Sequence, residues 1–268
     1  MIKDHRFASE HLEGAVLEAL HRGADERVRD RLGLRLERIG GALVSLAAKD
    51  PSILLNRTIG LGLDRPATDE AIERICTLYR DAGIDRFFLH VHPDARPDHL
   101  KSLLTRGGLT SYRRWMKFER GPGDLPTATS DLEVREIGKE HVDDFGRIAA
   151  SGFGLSEAAV PLFRGMLQVD GIHLYMSFDG EAPAGTGLMY CDGDKAWLDW
   201  AATDPAFRRR GSQRATLQRR IEDAIDAGCT RVMTCTGEAV AGDPQHSYHN
   251  IEWAGFEPKF LRENWIPA

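Results

Sequence analysis

The stretch Asp199-Trp200-Ala201-Ala202-Thr203-Asp204-Pro205-Ala206-Phe207-Arg208-Arg209-Arg210-Gly211-Ser212-Gln213-Arg214-Ala215 decides the fold. Lys195 to Thr203 reads as a short apolar strand ending in the Asp204-Pro205 turn. A basic loop, Arg208 to Ser212, follows it. A helix then starts near Ser212, with Leu217, Ile221, Ala224 and Ile225 on one face at helical spacing. Gly228 supplies the stop. Strand, glycine-bearing basic loop and helix N-terminus together make an anion cradle. The first N–H groups of a helix lack internal partners and carry the positive end of its dipole. Gly211 admits a close ligand, and the arginines add charge-assisted donors. The loop is neither a Walker loop nor a dinucleotide fingerprint, because it has no Gly-Lys-Ser/Thr and no Gly-x-Gly-x-x-Gly. A solvated arginine run at the start of a surface helix would read the same way locally.

The stretch resembles motif A of the GNAT superfamily of acyl-CoA-dependent N-acetyltransferases, Gln/Arg-x-x-Gly-x-Gly/Ala. Arg208 and Gly211 fit; Gln213 departs from the small final position. Downstream, Tyr248-His249-Asn250-Ile251-Glu252-Trp253-Ala254-Gly255-Phe256 resembles motif B, an Asn-bearing helix ending in Gly-Phe. The resemblance spans roughly Leu132 to Ile266.

Asp81-Ala82-Gly83-Ile84-Asp85-Arg86 recurs as Asp226-Ala227-Gly228-Cys229-Thr230-Arg231, an offset of 145 residues. Gly108-Leu109 sits likewise against Gly255-Phe256, and Tyr112 to Phe118 against Phe260 to Ile266. Gly121 to Thr127 is a Gly/Pro-rich linker. The expected fold is therefore α+β: two tandem GNAT-like domains, each a mixed, mostly antiparallel twisted sheet flanked by helices, over residues 1–125 and 130–268. The first-half counterpart of the basic loop is Leu63-Asp64-Arg65-Pro66, which lacks the glycine and puts a proline where an N–H is needed. The first domain is thus expected to be degenerate and without a cofactor loop.

Element patterns fill in the rest. Ala8 to Ile39 reads as helical, broken near Gly23; Ala42 to Ala47 and Ser52 to Leu63 read as strands. Thr68 is an N-cap for a helix through Ala82, and Arg86 to Val91 is a strand. The second half runs strand Leu132–Ile137, helices His141–Ala150 and Glu157–Gln168, then strands His173–Phe178 and Ala184–Tyr190. After the anion loop and its helix come strand Arg231–Thr236, helix His246–Ala254 and strand Phe260–Ile266.

The GNAT resemblance implies an acetyl-CoA site and direct attack by an amine through a tetrahedral oxyanion. The chemistry needs an oxyanion donor, a base and an acid. By position, the donor is a main-chain N–H of Ala201 or Ala202. The implied cofactor-binding set is Ala201, Ala202, Thr203, Arg208, Arg209, Arg210, Gly211, Ser212, Gln213, Arg214 and Asn250. Two acids are candidate bases: Asp199, inside an apolar strand where burial raises its pKa, and Glu238, just beyond the strand Arg231 to Thr236. The family's motif B tyrosine position holds Ile251, so Tyr248, one turn earlier, is the candidate acid. Each of these residues also has a purely structural reading.

The function expected is acetyl transfer to a primary amine of a small molecule or peptide; the alternative is a non-catalytic acyl-CoA sensor or scaffold. A nucleic-acid or phosphoprotein module on the arginine cluster is disfavoured by a net charge of −6. Composition is that of a globular chain, 42% hydrophobic and 28% charged. The sequence shows neither a signal-peptide core nor a membrane-length apolar run, and four cysteines without a Cys-x-x-Cys. We therefore expect a cytoplasmic chain with reduced thiols and no membrane partner, monomeric as an internal pseudo-dimer or else a homodimer. His90-x-His92 and His246/His249 lack a third ligand nearby, so no metal is expected.

Overall fold

The computed structural model describes residues 5–125 and 127–268; Pro126 of the linker lies outside them. The first half begins with a short 3₁₀ turn and then α1 (Ala8–Gly23), α2 (Glu26–Leu32), β1 (Leu34–Ile39), β2 (Ala42–Ala47) and β3 (Arg57–Ile59). It continues through α3 (Asp69–Asp81), β4 (Phe88–Val91), α4 (Leu100–Arg106) and β5 (Leu109–Arg120). The second half carries β6 (Glu133–Glu136), α5 (Val142–Phe153), a 3₁₀ segment (Glu157–Gln168), β7 (Ile172–Asp179) and β8 (Ala182–Asp192). After these come β9 (Lys195–Thr203), α6 (Ser212–Asp226), β10 (Arg231–Gly237), α7 (His246–Trp253) and β11 (Glu257–Pro267).

The strands form one sheet in the order β1-β2-β3-β4-β11-β5-β10-β9-β8-β7-β6. Among the described residues, only β3/β4 and β9/β10 pair in parallel. The halves exchange their last strands. β11 of the second half pairs with β4 of the first, and β5 of the first pairs with β10 of the second. β5 and β11 also pair with each other, at the centre of the sheet. Apart from β6, which has no counterpart, matching each strand to its repeat counterpart reverses the strand order onto itself, so the repeat seen in the sequence is a pseudo-two-fold in space. The two expected sheets are therefore fused into one.

Apolar clusters cover both faces of the second-half sheet. Leu12, Val16 and Leu20 of α1 share a core with Phe145 of α5, Phe163, Trp197 and Trp200 on one face. On the other, Leu217, Ile221 and Ala224 of α6 and Ile251 of α7 pack on Leu198, Val232 and Phe118. The first-half helix α1 thus roofs the second-half sheet. Its last residue, Gly23, meets Gly165 backbone to backbone, where a Cβ on Gly23 would lie 2.6 Å from the Gly165 carbonyl carbon.

Several expectations need correction. Residues 34–39 are a strand and no continuation of the helix. Gly33 adopts the left-handed conformation (φ 63°) and closes α2 by donating to the Arg29 and Asp30 carbonyls. The alternating Leu34-Arg35-Leu36 then pairs with β2. The strand expected from Ser52 to Leu63 shrinks to Arg57–Ile59. Ahead of it the Asn56 amide donates to the Asp50 and Ser52 carbonyls (2.8 and 3.2 Å) and holds a turn. Glu157–Gln168 is 3₁₀, with Pro161 inside it unable to donate a backbone hydrogen bond. The short helix α4, buried through Leu100, Leu103 and Leu104, was not anticipated.

Candidate active site

β9 and β10 pair only from Arg231↔Lys195 to Met233↔Trp197 and then part. The parting begins beside a bulge. Leu188 faces Asp199 and Thr186 faces Ala202, so Trp200 and Ala201 stand opposite the single residue Gly187. Trp200 takes φ 50°, a conformation rare for a bulky residue. A cavity of about 440 Å³ opens between the parted strands. Gln213, Leu217, Ser247 and Ile251 wall it on the α6/α7 side, and Glu13, Leu54, Arg57 and Phe153 on the α1/α5 side. Two other cavities, of about 580 and 640 Å³, border first-half residues such as His92 and Gly60 and do not touch β9, β10 or α6.

Helix α6 begins at this cleft with no side chain capping it among the described residues. Its pseudo-symmetric counterpart α3 is closed: Thr68 Oγ1 accepts from the Ala71 N–H at 3.2 Å, and Asp69 and Glu70 occupy the first turn. The α6 terminus thus lacks the side-chain cap and the acidic first turn that α3 carries.

The basic loop divides into two roles. Arg208 and Arg209 are exposed and form no ion pair or hydrogen bond through their side chains among the described residues. Arg210 is an anchor. It bonds both Asp131 (3.0 Å) and Asp179 (2.7 Å), tying the loop to the segment before β6 and to the end of β7. Gly211 is left-handed (φ 82°), and the space a Cβ would fill is taken by the Thr129 carbonyl. Its lack of a side chain leaves room for that carbonyl. Ser212 likewise turns its hydroxyl inward to Ser177 (2.8 Å), leaving only its main chain for an anion.

Gln213 accounts for the departure from a small residue. Its Oε1 accepts from Asn250 Nδ2 (2.7 Å) and its Nε2 donates to Ser247 Oγ (3.3 Å), so it cross-links α6 to α7. Asn250 also accepts from Arg214 Nε (2.9 Å), and Arg214 lies 4.7 Å over the Trp253 ring. Asn250 and Arg214 therefore brace the two helices and do not line the cavity. Ala201 lines it. Ala202 does not: its N–H donates to Thr186 Oγ1 (3.2 Å), and its Cβ sits against Gly152 of α5. Thr203 Oγ1 faces Ser212 (3.4 Å).

Of the three candidate catalytic groups, the structure brings only Asp199 to the cavity. Its carboxylate accepts from Trp197 Nε1 (3.1 Å) and the Trp200 N–H (2.8 Å). Burial raises its pKa, opposed chiefly by the charge of Arg57. Glu238 is instead locked to Arg114, through the Arg114 N–H and Nε, both at 2.8 Å. Burial pushes its pKa up, but these bonds outweigh it and hold the carboxyl below its usual range. Tyr248 stacks edge-on against Phe118 at 4.9 Å, a helix face away from the cavity-lining Ser247 and Ile251.

Glu13, Arg57, Arg220 and Ser247 also line the cavity, and the sequence did not single them out as site residues. Arg220 is fully buried, and desolvation lowers its pKa to about 10, so it stays charged at neutral pH. Its presence on the buried face of an amphipathic helix was the available signal. Glu13 belongs to a buried cluster with Glu10, Arg57, Lys117 and Arg262 at the strand-exchange seam. His90 bonds Asn264 (2.7 Å) and His92 accepts from the Asp94 N–H (3.0 Å). No group of three potential metal ligands exists among the described residues. No helix among them is long and apolar enough to cross a membrane.

A family model described as an acetyltransferase (GNAT) domain matches residues 104–241, just over half of the chain. Among solved structures, the chain is similar to a GCN5-related N-acetyltransferase from Kribbella flavida, at 17% identity over 96% of this chain and 94% of that one, with a TM-score of 0.63. A GCN5-related N-acetyltransferase from Sphaerobacter thermophilus is similar at 15% identity, covering 97% and 92%, with a TM-score of 0.60. A tandem GNAT protein from the clavulanic acid biosynthesis pathway, solved without AcCoA, is similar at 14% identity, covering 96% and 94%, also at 0.60. No curated protein matches in sequence.

Proposed function

The chain belongs to the GNAT acetyltransferase family, and on that premise we propose that it moves an acetyl group from acetyl-CoA to a primary amine in the cavity between β9 and β10. The observation that carries this reading is the parting of β9 and β10 beside the uncapped start of α6, with the buried Asp199 in the cavity that opens between them. The residues present fit the cosubstrate. The main-chain N–H groups of Ser212, Gln213 and Arg214, with Arg208 and Arg209, would hold its pyrophosphate. Acetyl-CoA would supply the acetyl thioester.

Within the cavity, Asp199 removes the proton that the acceptor ammonium must lose before it can attack. A carboxyl raised by burial is better matched to that transfer than an ordinary aspartate. Ala201, in the bulge, offers its main-chain N–H to the developing oxyanion. Ser247, the α7 hydroxyl on the cavity wall, takes the proton-donor role expected of Tyr248.

Only residues 130–268 carry a cosubstrate site in this reading, and residues 1–125 form a degenerate domain that supplies the acceptor-side wall through Glu13 and Arg57. A cytoplasmic setting and a monomer with internal pseudo-symmetry suit the same reading. Acyl-CoA binding without turnover is the competing reading, favoured by the engagement of Glu238 and Tyr248 elsewhere. Thiol release from acetyl-CoA, followed over a panel of amines, tests the proposal. Release should require an amine and fall about 100-fold in Asp199→Asn. Binding of acetyl-CoA with no release on any amine would favour the non-catalytic reading.

A further inference from the structure

Arg57 sits on β3 of the first half and lines the cavity together with Asp199. It is 3% exposed. Its Nη1 donates to Glu13 Oε1 at 2.7 Å, while its Nε has no hydrogen-bond partner. A buried guanidinium N–H without an acceptor is costly, and Arg220 Nη2, on the wall of the same cavity, also lacks one.

The charge balance around it is also incomplete. Arg57, Lys117 and Arg262 are all buried and converge on two buried carboxylates, Glu10 and Glu13. Glu13 is shared by all three cations and Glu10 by two. Three cations against two anions leave one positive charge. Asp199, on which Arg57 acts most strongly of the neighbouring charges, is a third buried acid beside them and Arg220 a fourth buried cation, so the surplus of one positive charge stands. Buried charge of this kind is ordinarily compensated by a counter-ion. A wall with an unused guanidinium donor and one surplus positive charge therefore lacks an anion.

We propose that the acceptor amine also carries a carboxylate, which docks on Arg57 while its amino group lies at Asp199. The acceptor is then a small molecule of amino-acid type, and the first half contributes its specificity. This rests on the acetyltransferase reading. Planar, forked donors suit a carboxylate, and the fixed separation between Arg57 and Asp199 selects among amino acids by chain length.

The test compares L-alanine, β-alanine and γ-aminobutyrate with their own carboxamides. Each pair has the same shape and differs in one charge. Thiol release from acetyl-CoA gives kcat/KM for each member, and calorimetry of each amino acid into the enzyme saturated with CoA gives binding independently of turnover. The best-accepted amino acid should exceed its carboxamide by at least about 100-fold in kcat/KM, because a site built for a polar group strongly rejects the analogue lacking it. In Arg57→Lys, which keeps the charge but not the fork, the ratio should fall below about tenfold through KM. A merely structural Arg57 would lower both members equally. Equal rates within the pairs in the wild type overturn the proposal without recourse to any variant. So does the absence of binding and turnover of all three amino acids when acetyl-CoA itself binds. Failure of acetyl-CoA to bind is a different result, and overturns the acetyltransferase reading itself, with this proposal along with it.

Discussion

Gly187 of β8 and Arg220 of α6 interlock: a Cβ on Gly187 would lie 2.7 Å from the guanidinium carbon of Arg220. The same guanidinium donates through Nη1 to the carbonyls of Leu188 (2.9 Å) and Asp199 (3.2 Å), one on each strand flanking the bulge. The helix proposed to hold an anion at its N-terminus therefore also fixes the bulge that places Asp199 and Ala201. Arg220→Met leaves those carbonyls without their donor and should cost about 3 kcal/mol of stability. Gly187→Ala should lower stability too, by displacing the guanidinium. Urea unfolding midpoints at constant m-value report both.

Asp199 titrates above the usual carboxylate range because it is buried. Folding therefore favours its protonated form. The stability this contributes is complete below the unfolded-state pKa and is lost as pH rises through the folded-state pKa. Asp199→Asn should accordingly be more stable than wild type at neutral pH, and the two should converge in acid. Its turnover should lose the limb that rises with pH in the wild type. Thermal melts and rate profiles over the same pH series check both halves.

The buried cluster behaves with the opposite sign. Burial raises the pKa of Glu13, but Arg262, Lys117 and Arg57 together hold it well below its normal value. Its stabilisation is present above the unfolded carboxylate pKa and is lost as pH falls through the folded one. Glu13→Gln leaves buried cations short of a partner and should cost about 3–5 kcal/mol at neutral pH. The deficit should shrink as the wild type is acidified, which denaturation in acidic buffers will show.

Glu238 and Tyr248 are predicted to be dispensable for chemistry. Glu238→Gln and Tyr248→Phe should keep kcat within about threefold of wild type, against the 100-fold or more that removal of a true acid or base costs. A larger loss in either would restore it as a catalytic group. Steady-state rates at saturating acetyl-CoA decide the point.

The parts of the fold governed by local pattern were legible in the sequence. Lys195–Thr203 is the β9 span itself, and the α6 helix starts at Ser212 as its apolar spacing requires. The 145-residue offset anticipated the matching of α6 with α3 and β10 with β4. Strand exchange was not legible, because β5 and β11 look the same whichever half they pair with. Leu34–Ile39 was misread because its leucines suit a helix face as well as a strand, and Gly33 alone marks the break. At the site, Arg208 to Gly211 could be read from the sequence as a basic loop before a helix. That Arg210 spends its charge on Asp131 and Asp179 depends on residues 79 and 31 positions away. Arg57 and Glu13 were invisible as site residues for the same reason: they reach the cavity from the other half of the chain.

The central claim is that one cosubstrate site lies at the start of α6. Calorimetric titration of acetyl-CoA into the wild type and into Arg208→Glu/Arg209→Glu tests it most directly. Both side chains are exposed and without intramolecular partners among the described residues, so the variant keeps its fold, whereas a change at Gly211 would collide with Thr129. The account predicts one molecule bound per wild-type chain and an affinity at least about 100-fold weaker in the variant, since two attractive charges become repulsive ones. Equal affinity in both proteins, or two molecules bound per chain, would contradict it.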